Sequence, residues 1–292
     1  MKGPIEERAV VRVGQGPAGL GERDPVVVEA PLELRDAAGT SLTVTMRTPD
    51  WERDARPQGG DTDLDLARGL LYTEGVLRDA GEARSVRRAP PESLSREERD
   101  NVVIVDLDPV LVTQRWPQRS LPASSGCGVC GKSSIAALEL RAESVRSDLV
   151  VAAEVIPELP DRLRAAQAVF AATGGLHAAG AFTADGELLA AREDVGRHNA
   201  VDKLVGWALL DGRLPMSDAI LCVSGRLGYE IAHKAVMAGF PIVVSVSAPS
   251  SLAVDVAERF RVTLCGFTRG GRFNLYSHPA RVSVPAPSAG PG

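Results

Sequence analysis

Short apolar runs alternate with amphipathic helical patterns through the second half of the chain. The runs AILCVS, PIVVSV and VTLCGF are separated by helical patterns over 228–238, which stops at Gly239, and over 251–259. An earlier helical pattern over 199–210 stops at Gly212, and glycine commonly ends helices. Short apolar strands separated by helices of this length predict a partly parallel sheet with helices packed against it.

The middle of the chain carries weaker patterns. They predict one helix from Ser133 to Glu143 and another over 161–172, the latter ended by Gly174-Gly175. The stretch 177–192 is typical of a hairpin that turns at Asp185-Gly186.

The first half of the chain begins with alternating polar and apolar positions. Residues 26–48 alternate around Ala37-Ala38-Gly39, which predicts a hairpin. Asp61 or Thr62 can cap a helix that stops near Gly75, and NVVIVDL (101–107) is a predicted strand. We predict five parts: a loose N-terminus (1–25), an α+β part (26–119), a flexible cysteine loop (120–132), an α/β ligand-binding part (133–282) and a disordered tail (283–292).

Composition excludes several classes of protein. The 292 residues are 44% hydrophobic and 24% charged, which is ordinary for a globular protein, and the net charge of -5 argues against general nucleic-acid binding. No apolar stretch approaches the roughly 20 residues of a membrane helix. The start, MKGPIEERAV, lacks the apolar centre of a signal peptide. We therefore expect a cytoplasmic protein with neither a nucleic-acid nor a membrane partner.

The segment SSGCGVCGK (124–132) carries the strongest chemical signal. Cys127 and Cys130 form a C-x-x-C pair among glycines, which in a cytosolic protein indicates metal or sulfur chemistry. Lys132 and the predicted helix N-terminus at Ser133 would favour a thiolate over a thiol. A thiolate is the form that attacks the terminal sulfur of a persulfide.

Three interpretations of this pair stay open on local features. A zinc site needs four ligands, and a second pair is absent unless a two-fold dimer supplies one pair from each chain. Thiol–disulfide exchange is the second interpretation, although no thioredoxin-like βαβ unit directly follows the pair. Sulfur carriage is the third. The other two cysteines, Cys222 and Cys265, lie in apolar strands and are expected to be small buried hydrophobic residues.

Polar residues interrupt the apolar pattern at predicted strand ends, where α/β sheets bind ligands. The candidates there are Arg197, His198, Asn199, Ser224, Gly225 and Arg226. The next helix carries Glu230 and Lys234 at a spacing that favours an ion pair. SAPSS (247–251) places small hydroxyl residues at a helix N-terminus, which is suited to an anion.

A second group of candidates follows the last predicted strand in GFTRGGRFNLYSH (266–278). One interpretation is a hairpin turn with solvated arginines. In the other, Arg269 and Arg272 grip phosphates together with the backbone amides exposed by Gly270-Gly271. Combined with Arg197 and Arg226, these arginines predict a basic pocket on an acidic protein, which suits an anion that carries a nucleotide.

His177, in TGGLHAAG, resembles the histidine of the zinc deaminase signature H-x-E. The glutamate position of that signature is Ala179 here, so a deaminase would lack its acid/base group. We expect His177 to be a hydrogen-bonded structural residue or to line a pocket.

These segments together resemble the FdhD family of formate dehydrogenase accessory sulfurtransferases. The resemblance covers about residues 26 to 282 in one order. The matching pieces are MRTP with LARGLLYTEGVL, GCGVCGK, EDVGRHNAVDK, SGRLGYEIAHK, SAPSSLAVDVAE and TLCGFTRGGRFNLYSH.

The resemblance implies a cytidine-deaminase-like α/β fold, with a mixed sheet flanked by helices, an N-terminal part that contains the hairpin, and a homodimer. It implies a sulfurtransferase that moves sulfur from an IscS-type cysteine desulfurase to the bis-molybdopterin guanine dinucleotide form of the molybdenum cofactor, for a formate dehydrogenase. A guanine nucleotide is expected to mimic that cofactor. Cys127 matches the family's persulfide-bearing cysteine and Cys130 the second of the pair. The family's cofactor-binding segment maps to Phe267, Thr268, Arg269, Gly270, Gly271 and Arg272.

An alternative function discards sulfur transfer. In it the chain is a non-enzymatic chaperone of the molybdenum cofactor, with the basic pocket retained and a structural, zinc-binding cysteine pair. Bound zinc at about half an equivalent per chain would favour this alternative, because four cysteines from two chains fill one site.

Overall fold

The computed structural model describes residues 3–13, 22–49, 60–95, 98–115 and 142–283. Its strands are β1 (Ile5–Val10), β2 (Glu22–Val27), β3 (Ala30–Asp36), β4 (Ser41–Arg47), β5 (Ala83–Arg88), β6 (Val102–Leu107), β7 (Val151–Ala152), β8 (His177–Phe182), β9 (Leu188–Asp194), β10 (Ile220–Val223), β11 (Ile242–Ser245), β12 (Thr263–Arg269), β13 (Arg272–Leu275) and β14 (Val282–Ser283). Its α-helices are α1 (Thr62–Thr73), α2 (Pro109–Arg115), α3 (Leu159–Ala165), α4 (Ala168–Thr173), α5 (Arg197–Leu210), α6 (Tyr229–Ala238) and α7 (Ser251–Phe260).

A six-stranded sheet forms the centre of the C-terminal part, in the order β13-β12-β11-β10-β8-β9. Strands β10, β11 and β12 are parallel, and β8 and β13 are antiparallel to their neighbours. One face packs an aliphatic core against α5, α6 and α7, and the other packs against α3 and β7. The predicted partly parallel sheet with flanking helices is confirmed, and the finer cytidine-deaminase-like label stays a prediction.

A four-stranded sheet, in the order β4-β3-β6-β5, forms the N-terminal part, and α1 packs its apolar face against it. The opposite side of α1 lies on α5. A Cβ atom added to Gly69 would stand 1.8 Å from the carbonyl oxygen of Asp202, and one added to Gly206 would stand 1.9 Å from that of Asp65. Glycine at both positions therefore lets the two helix backbones touch, which joins the two sheets into one body.

Local patterns predicted most elements correctly. The first hairpin pairs β3 with β4 and turns through Gly39, whose φ of +88° suits glycine. Helix α1 begins at Thr62, and the Asp61 side chain accepts a hydrogen bond from the Asp63 amide, as expected of an N-cap. Strands β8 and β9 form the predicted second hairpin.

The helix predicted over 161–172 is instead two short helices, α3 and α4, separated by Gln167. The Glu193 carboxylate explains the break, because it accepts hydrogen bonds from the Val169 and Phe170 amides at 3.1 and 2.8 Å. These amides lie in the first turn of α4, and a carboxylate there stabilises a new helix start. Gly174 ends α4 in the left-handed conformation, as expected.

The N-terminus differs from the loose segment expected over 1–25, since β1 and β2 pair antiparallel with Ile5 opposite Val27. The expected cysteine loop (120–132) and residues 284–292 of the expected tail (283–292) lie outside the described residues, whereas Ser283 of that tail belongs to strand β14. Of the helix expected from Ser133 to Glu143, only Ala142 and Glu143 are described, and they are not helical.

Candidate functional site

Strands β9, β10, β11 and β12 run in the same direction, so their carboxyl ends meet at one edge of the six-stranded sheet. Helices α5, α6 and α7 begin at this same edge. In α/β sheets, ligands bind at such an edge. We call it the polar edge; its residues are His177, Arg197, His198, Ser224, Gly225, Arg226, Ser245 and Ser247.

Two helix N-termini at the polar edge have no side-chain cap. Helix α5 follows Gly196 and α6 follows Gly228, and neither glycine can offer a side-chain acceptor to the first-turn amides. In α7, by contrast, the Ser250 hydroxyl accepts from the Ala253 amide. Uncapped first-turn N–H groups and the helix dipole favour a bound anion at the start of α5. At the start of α6 the Glu230 carboxylate already accepts a hydrogen bond from its own amide.

The turn Ser224-Gly225-Arg226 between β10 and α6 is held by three hydrogen bonds. The Ser224 amide donates to the Ala178 carbonyl at 3.0 Å, and the Ala178 amide donates to the Ser224 hydroxyl at 2.8 Å. The buried Ser245 hydroxyl donates to the Gly225 carbonyl at 2.7 Å. The turn is therefore rigid before any ligand arrives.

Gly225 brings His177 and Arg197 together. A Cβ atom at position 225 would stand 3.2 Å from Nδ1 of His177 and 3.7 Å from Cδ of Arg197. Burial, followed by the charges of Arg197, His198 and Arg226, lowers the pKa of His177 below its ordinary value of 6.5. His177 thus lies beside several positive charges at the polar edge, and its role as a hydrogen-bonded structural residue or a pocket-lining residue stays a prediction.

His198 and Glu230 connect the starts of α5 and α6. Nε2 of His198 lies 3.4 Å from Oε2 of Glu230, and this close contact with His198 lowers the pKa of Glu230 to about 2. The ion pair expected between Glu230 and Lys234 is wrong. Lys234 instead lies 2.7 Å from Asp202 of α5, where both side chains are buried.

Asn199 stabilises the fold with both ends of its side chain. Its amide nitrogen donates to the Met46 carbonyl and to Asp194, and its oxygen accepts from the Thr45 hydroxyl. The buried Asp194 also lies 2.6 Å from Nζ of Lys203. Asn199 therefore joins β4 to α5, and both polar groups of its side chain are already engaged.

The turn between β12 and β13 holds the second group of candidates. Gly270 and Gly271 have φ of +57° and +73°, which matches a two-residue hairpin turn with both central residues left-handed. Arg269 and Arg272 pair across this turn, are exposed, and have no ion-pair partner in the part of the chain that the structure describes. Their guanidinium groups are therefore open to an anion.

Phe267 and Thr268 precede this turn and differ in exposure. Phe267 lies at a β-bulge with φ of +54°, is 41% exposed, and its amide donates to the Ser247 carbonyl. Thr268 is fully buried, and its hydroxyl has no hydrogen-bond partner among the described residues. Phe267 can contact a ligand at the surface, whereas the Thr268 side chain faces the interior.

The predicted persulfide residues, Cys127 and Cys130, lie outside the described residues. The described chain stops at Arg115 and resumes at Ala142, and both residues line a cavity of about 670 Å³. Ser217 and Gly239, just before β10 and β11, line the same cavity. The ends of the cysteine-bearing segment therefore lie at the sheet edge opposite the polar edge.

Cys222 and Cys265 are fully buried in the core on the α3 side of the sheet, as expected. Burial raises the pKa of both thiols, that of Cys265 to about 12. Neither thiol can form an appreciable amount of thiolate near neutral pH. The predicted sulfur chemistry therefore concerns Cys127 and Cys130.

Metal-binding and membrane-spanning features were sought in the described ranges. They hold no group of three or more His, Cys, Asp and Glu side chains arranged for a metal ion. No helix within them has the length and apolarity needed to cross a membrane.

Comparison with known proteins decides the family, because the model described as the FdhD/NarQ family matches residues 27–283. The chain belongs to the FdhD/NarQ family. A protein of Streptomyces avermitilis named "Sulfur carrier protein FdhD" is 45% identical over 97% of this chain and 98% of its own length. A protein of Nocardia farcinica with the same name is 46% identical over 94% of each chain.

A solved structure is similar to the fold. It is described as a formate dehydrogenase accessory protein from Desulfotalea psychrophila, with a TM-score of 0.71, 21% identity, and coverage of 96% of this chain and 99% of that one. At this identity the likeness concerns the fold. The resemblance to the FdhD family in the sequence motifs is thereby confirmed by the family match.

Three residues at the polar edge, Ser245, Gly196 and Gly228, were not among the predicted site residues. The Ser245 hydroxyl donates to the Gly225 carbonyl, and nothing in the apolar segment PIVVSV predicts this hydrogen bond. The glycine N-caps, Gly196 and Gly228, could have been recognised because each lies directly before a predicted helix and cannot cap it with a side chain.

Proposed function

We propose that this chain is a sulfur carrier protein that serves a formate dehydrogenase. The observation that carries the proposal is the match to relatives named "Sulfur carrier protein FdhD" along 97% of the chain at 45% identity. The C-x-x-C pair and the cationic polar edge supply the two chemical functions that such a carrier needs, a sulfur-bearing nucleophile and a site for an anionic acceptor.

The first step is persulfide transfer to Cys127, which makes the chain a sulfurtransferase with a cysteine persulfide intermediate. The Cys127 thiolate attacks the outer sulfur of a persulfide on an IscS-type cysteine desulfurase. The sulfur–sulfur bond of the donor breaks, the donor cysteine leaves as a thiolate, and Cys127 carries the persulfide. Release of the sulfur follows when the Cys130 thiolate attacks the Sγ atom of Cys127, which forms a disulfide between the two cysteines and expels the outer sulfur as hydrosulfide to the acceptor.

The acceptor is the bis-molybdopterin guanine dinucleotide form of the molybdenum cofactor, bound as substrate. Its phosphates are suited to Arg197, Arg226 and the uncapped start of α5, because cations and free N–H groups bind phosphate oxygens. Phe267, Arg269 and Arg272 offer an exposed ring and two guanidinium groups, unpaired within the described ranges, for the rest of a guanine nucleotide. GDP is therefore a suitable probe of this site.

The sulfur must travel from one edge of the sheet to the other. Strand β10 spans four residues, or about 13 Å at the usual rise, and marks the minimum separation of the two edges. The chain between Arg115 and Cys127 could cover at most about 40 Å when fully extended. Its length therefore permits Cys127 to accept sulfur on one side and deliver it on the other. We include a homodimer and a cytoplasmic location in the proposal, following the family resemblance.

Intact-protein mass spectrometry tests the carrier function. Wild type, Cys127→Ala and Cys130→Ala are incubated with a cysteine desulfurase and cysteine. We expect wild type and Cys130→Ala to gain one sulfur atom that a reductant removes, and Cys127→Ala to gain none. An active desulfurase that adds sulfur to none of the three proteins would contradict the carrier function.

A cofactor chaperone with a structural cysteine pair is the alternative that such a result would support. This alternative places zinc on Cys127 and Cys130 of two chains. Metal analysis of the purified protein then decides, since about half an equivalent of zinc per chain corresponds to four cysteines around one ion.

A further inference from the structure

His177 is a titratable group at the centre of the polar edge, and no step of the proposed sulfur transfer uses it. It is the first residue of β8, where it pairs with Asp194 of β9, and its ring lies against Gly225. The rigid turn 224–226 and the start of α5 fix the walls around it. A ligand held by Arg197 and Arg226 would therefore lie beside this ring.

The charges around His177 come from every element that packs against it. Helix α5 contributes Arg197 and His198, the turn after β10 contributes Arg226, and β9 contributes Asp194. Asp194 is already engaged by Lys203, so its charge is largely compensated. Glu230 of α6 acts through His198, which it contacts. Positive charge therefore dominates around the imidazole when no ligand is bound.

The side chain of Arg197 also points to a ligand at the polar edge. Its Nε atom is buried and has no hydrogen-bond partner among the described residues. Buried polar groups normally have hydrogen-bond partners. The Nε–H group of Arg197 is therefore suited to donate to an acceptor on a bound ligand. The first-turn amides of α5 lie beside it, because Arg197 is the first residue of that helix.

We propose that His177 is a ligand of the anion bound at the polar edge and takes up a proton as a phosphate group binds beside Arg197 and Arg226. This inference rests on the proposed function, because it assigns a role to His177 within the same cofactor site. A dianionic phosphate would offset the two guanidinium charges and favour the imidazolium, which can then donate a hydrogen bond to a phosphate oxygen.

The physical consequence is that cofactor binding is linked to pH. In the ligand-free protein burial and the neighbouring cations hold the pKa of His177 below 6.5, so the ring is neutral at neutral pH. If the bound phosphate raises this pKa, protonation and binding strengthen each other as the pH falls. One unit of difference between the free and bound pKa strengthens binding about tenfold once the pH lies below both values.

GDP is the probe, and His177→Gln is the test variant because glutamine keeps a polar side chain without a titrating ring. His278→Gln is the matched control, since His278 contacts Glu258 at the opposite edge of the sheet. His198→Gln separates the contribution of the neighbouring histidine. The affinity for GDP is measured by calorimetry between pH 8 and pH 6, in buffers of low and high ionisation enthalpy.

We expect wild type and His278→Gln to take up a larger fraction of a proton per GDP near pH 6.5 than His177→Gln does, because the titration of GDP itself is common to all three. The affinity of wild type relative to His177→Gln should rise about three- to tenfold from pH 8 to pH 6. The titration of GDP itself cancels in this ratio. An NMR titration of the His177 ring in wild type, with and without GDP, gives the same answer without a variant: its midpoint should rise when GDP binds.

Two results would overturn the inference, and they are distinguishable. If GDP binds but the His177 midpoint does not rise and the His177→Gln ratio is independent of pH, the proton-linked ligand is wrong while the cofactor site stands. If GDP does not bind wild type at any pH, the cofactor site itself is wrong, and the role of His177 is overturned with it.

Discussion

Lys234 of α6 forms a buried ion pair with Asp202 of α5, with Nζ 2.7 Å from Oδ1 and 2.8 Å from Oδ2. The hydroxyl of Thr73, the last residue of α1, donates to the same carboxylate at 2.8 Å. The pair therefore ties together three helices, one of which belongs to the N-terminal part. A buried charge of this kind is tolerated only because it is paired and hydrogen-bonded.

Replacement of Lys234 by Met is expected to lower the free energy of unfolding by about 3–5 kcal/mol, because it leaves Asp202 buried and unpaired. The double variant Lys234→Met/Asp202→Leu should recover part of this loss. Urea denaturation followed by circular dichroism measures both. Arg146→Ala is the control, since its pair with Glu143 is 3.8 Å long and exposed, and should change stability by less than about 1 kcal/mol.

The Lys234→Met variant should also be sensitive to pH. Burial already raises the pKa of Asp202, and the loss of Lys234, which lowers it, raises it further. An acid with a raised folded-state pKa loses stability as the pH rises through that value. We therefore expect the variant to be closer to wild type at pH 5 than at pH 8. An equal difference at both pH values would contradict the buried, unpaired carboxylate.

Gly69→Ala and Gly206→Ala are expected to separate α1 from α5. The added Cβ atoms would stand 1.8 and 1.9 Å from backbone carbonyl oxygens, and backbone cannot give way as a side chain can. We expect a loss of about 3 kcal/mol or more, despite the gain of about 1 kcal/mol in helix propensity. Thermal unfolding measures it.

Gly81→Ala is the matched control for the two helix glycines. Its Cβ atom would stand 3.2 Å from the Oδ1 atom of Asp79, which is the end of a side chain on an exposed turn. We expect this variant to lose less than about 1 kcal/mol. If Gly69→Ala is as stable as Gly81→Ala, the contact between the two helix backbones is looser than the structure shows.

Arg226→Ala and Arg272→Ala should each weaken GDP binding roughly ten- to a hundredfold, because a hydrogen bond to a charged group contributes about 1.5–3 kcal/mol. Calorimetry at 50 and 300 mM salt measures it, and each variant should show a weaker dependence on salt than wild type. Arg84→Ala, an exposed arginine of β5 in the other sheet, controls for the change in net charge. Unchanged affinity in Arg272→Ala would remove that residue from the site.

Cys222 and Cys265 should not react with iodoacetamide in the folded protein. Both are fully buried, and burial raises the pKa of Cys265 to about 12, so raising the pH from 7 to 9 should not expose a thiolate. Peptide mapping after labelling checks this, with urea-unfolded protein as the control in which both residues react. Labelling of either cysteine in folded protein would show that the core opens, and would complicate the assignment of persulfide to Cys127.

The helices α5, α6 and α7 and the strands between them could be predicted from sequence, because their apolar period is a local signal, as are the glycines that end α5 and α6. The division of residues 161–172 into two helices could not be predicted, because it depends on Glu193 of strand β9, which contacts α4 only in the folded protein. The pairing of β1 with β2 was likewise hidden, because the segment between them is rich in glycine and carries no periodic pattern.

The candidate site shows the same division. Arg197, Ser224, Gly225 and Arg226 were recognisable from the sequence, because polar residues stand out at the ends of apolar strands. The sequence placed Asn199 in the ligand site and paired Glu230 with Lys234 by helical spacing. The structure instead uses Asn199 to join β4 to α5, and pairs Lys234 with Asp202.

The sequence by itself determined the local elements, the presence of a C-x-x-C pair and the family, because these depend on residue types and short spacings. Only the tertiary structure decided which polar groups are buried partners of one another and which remain open to a ligand. Ion pairs and cationic recesses form between residues far apart in the chain. Their partners are set by how α1, α5 and α6 pack, not by the spacing within any one helix.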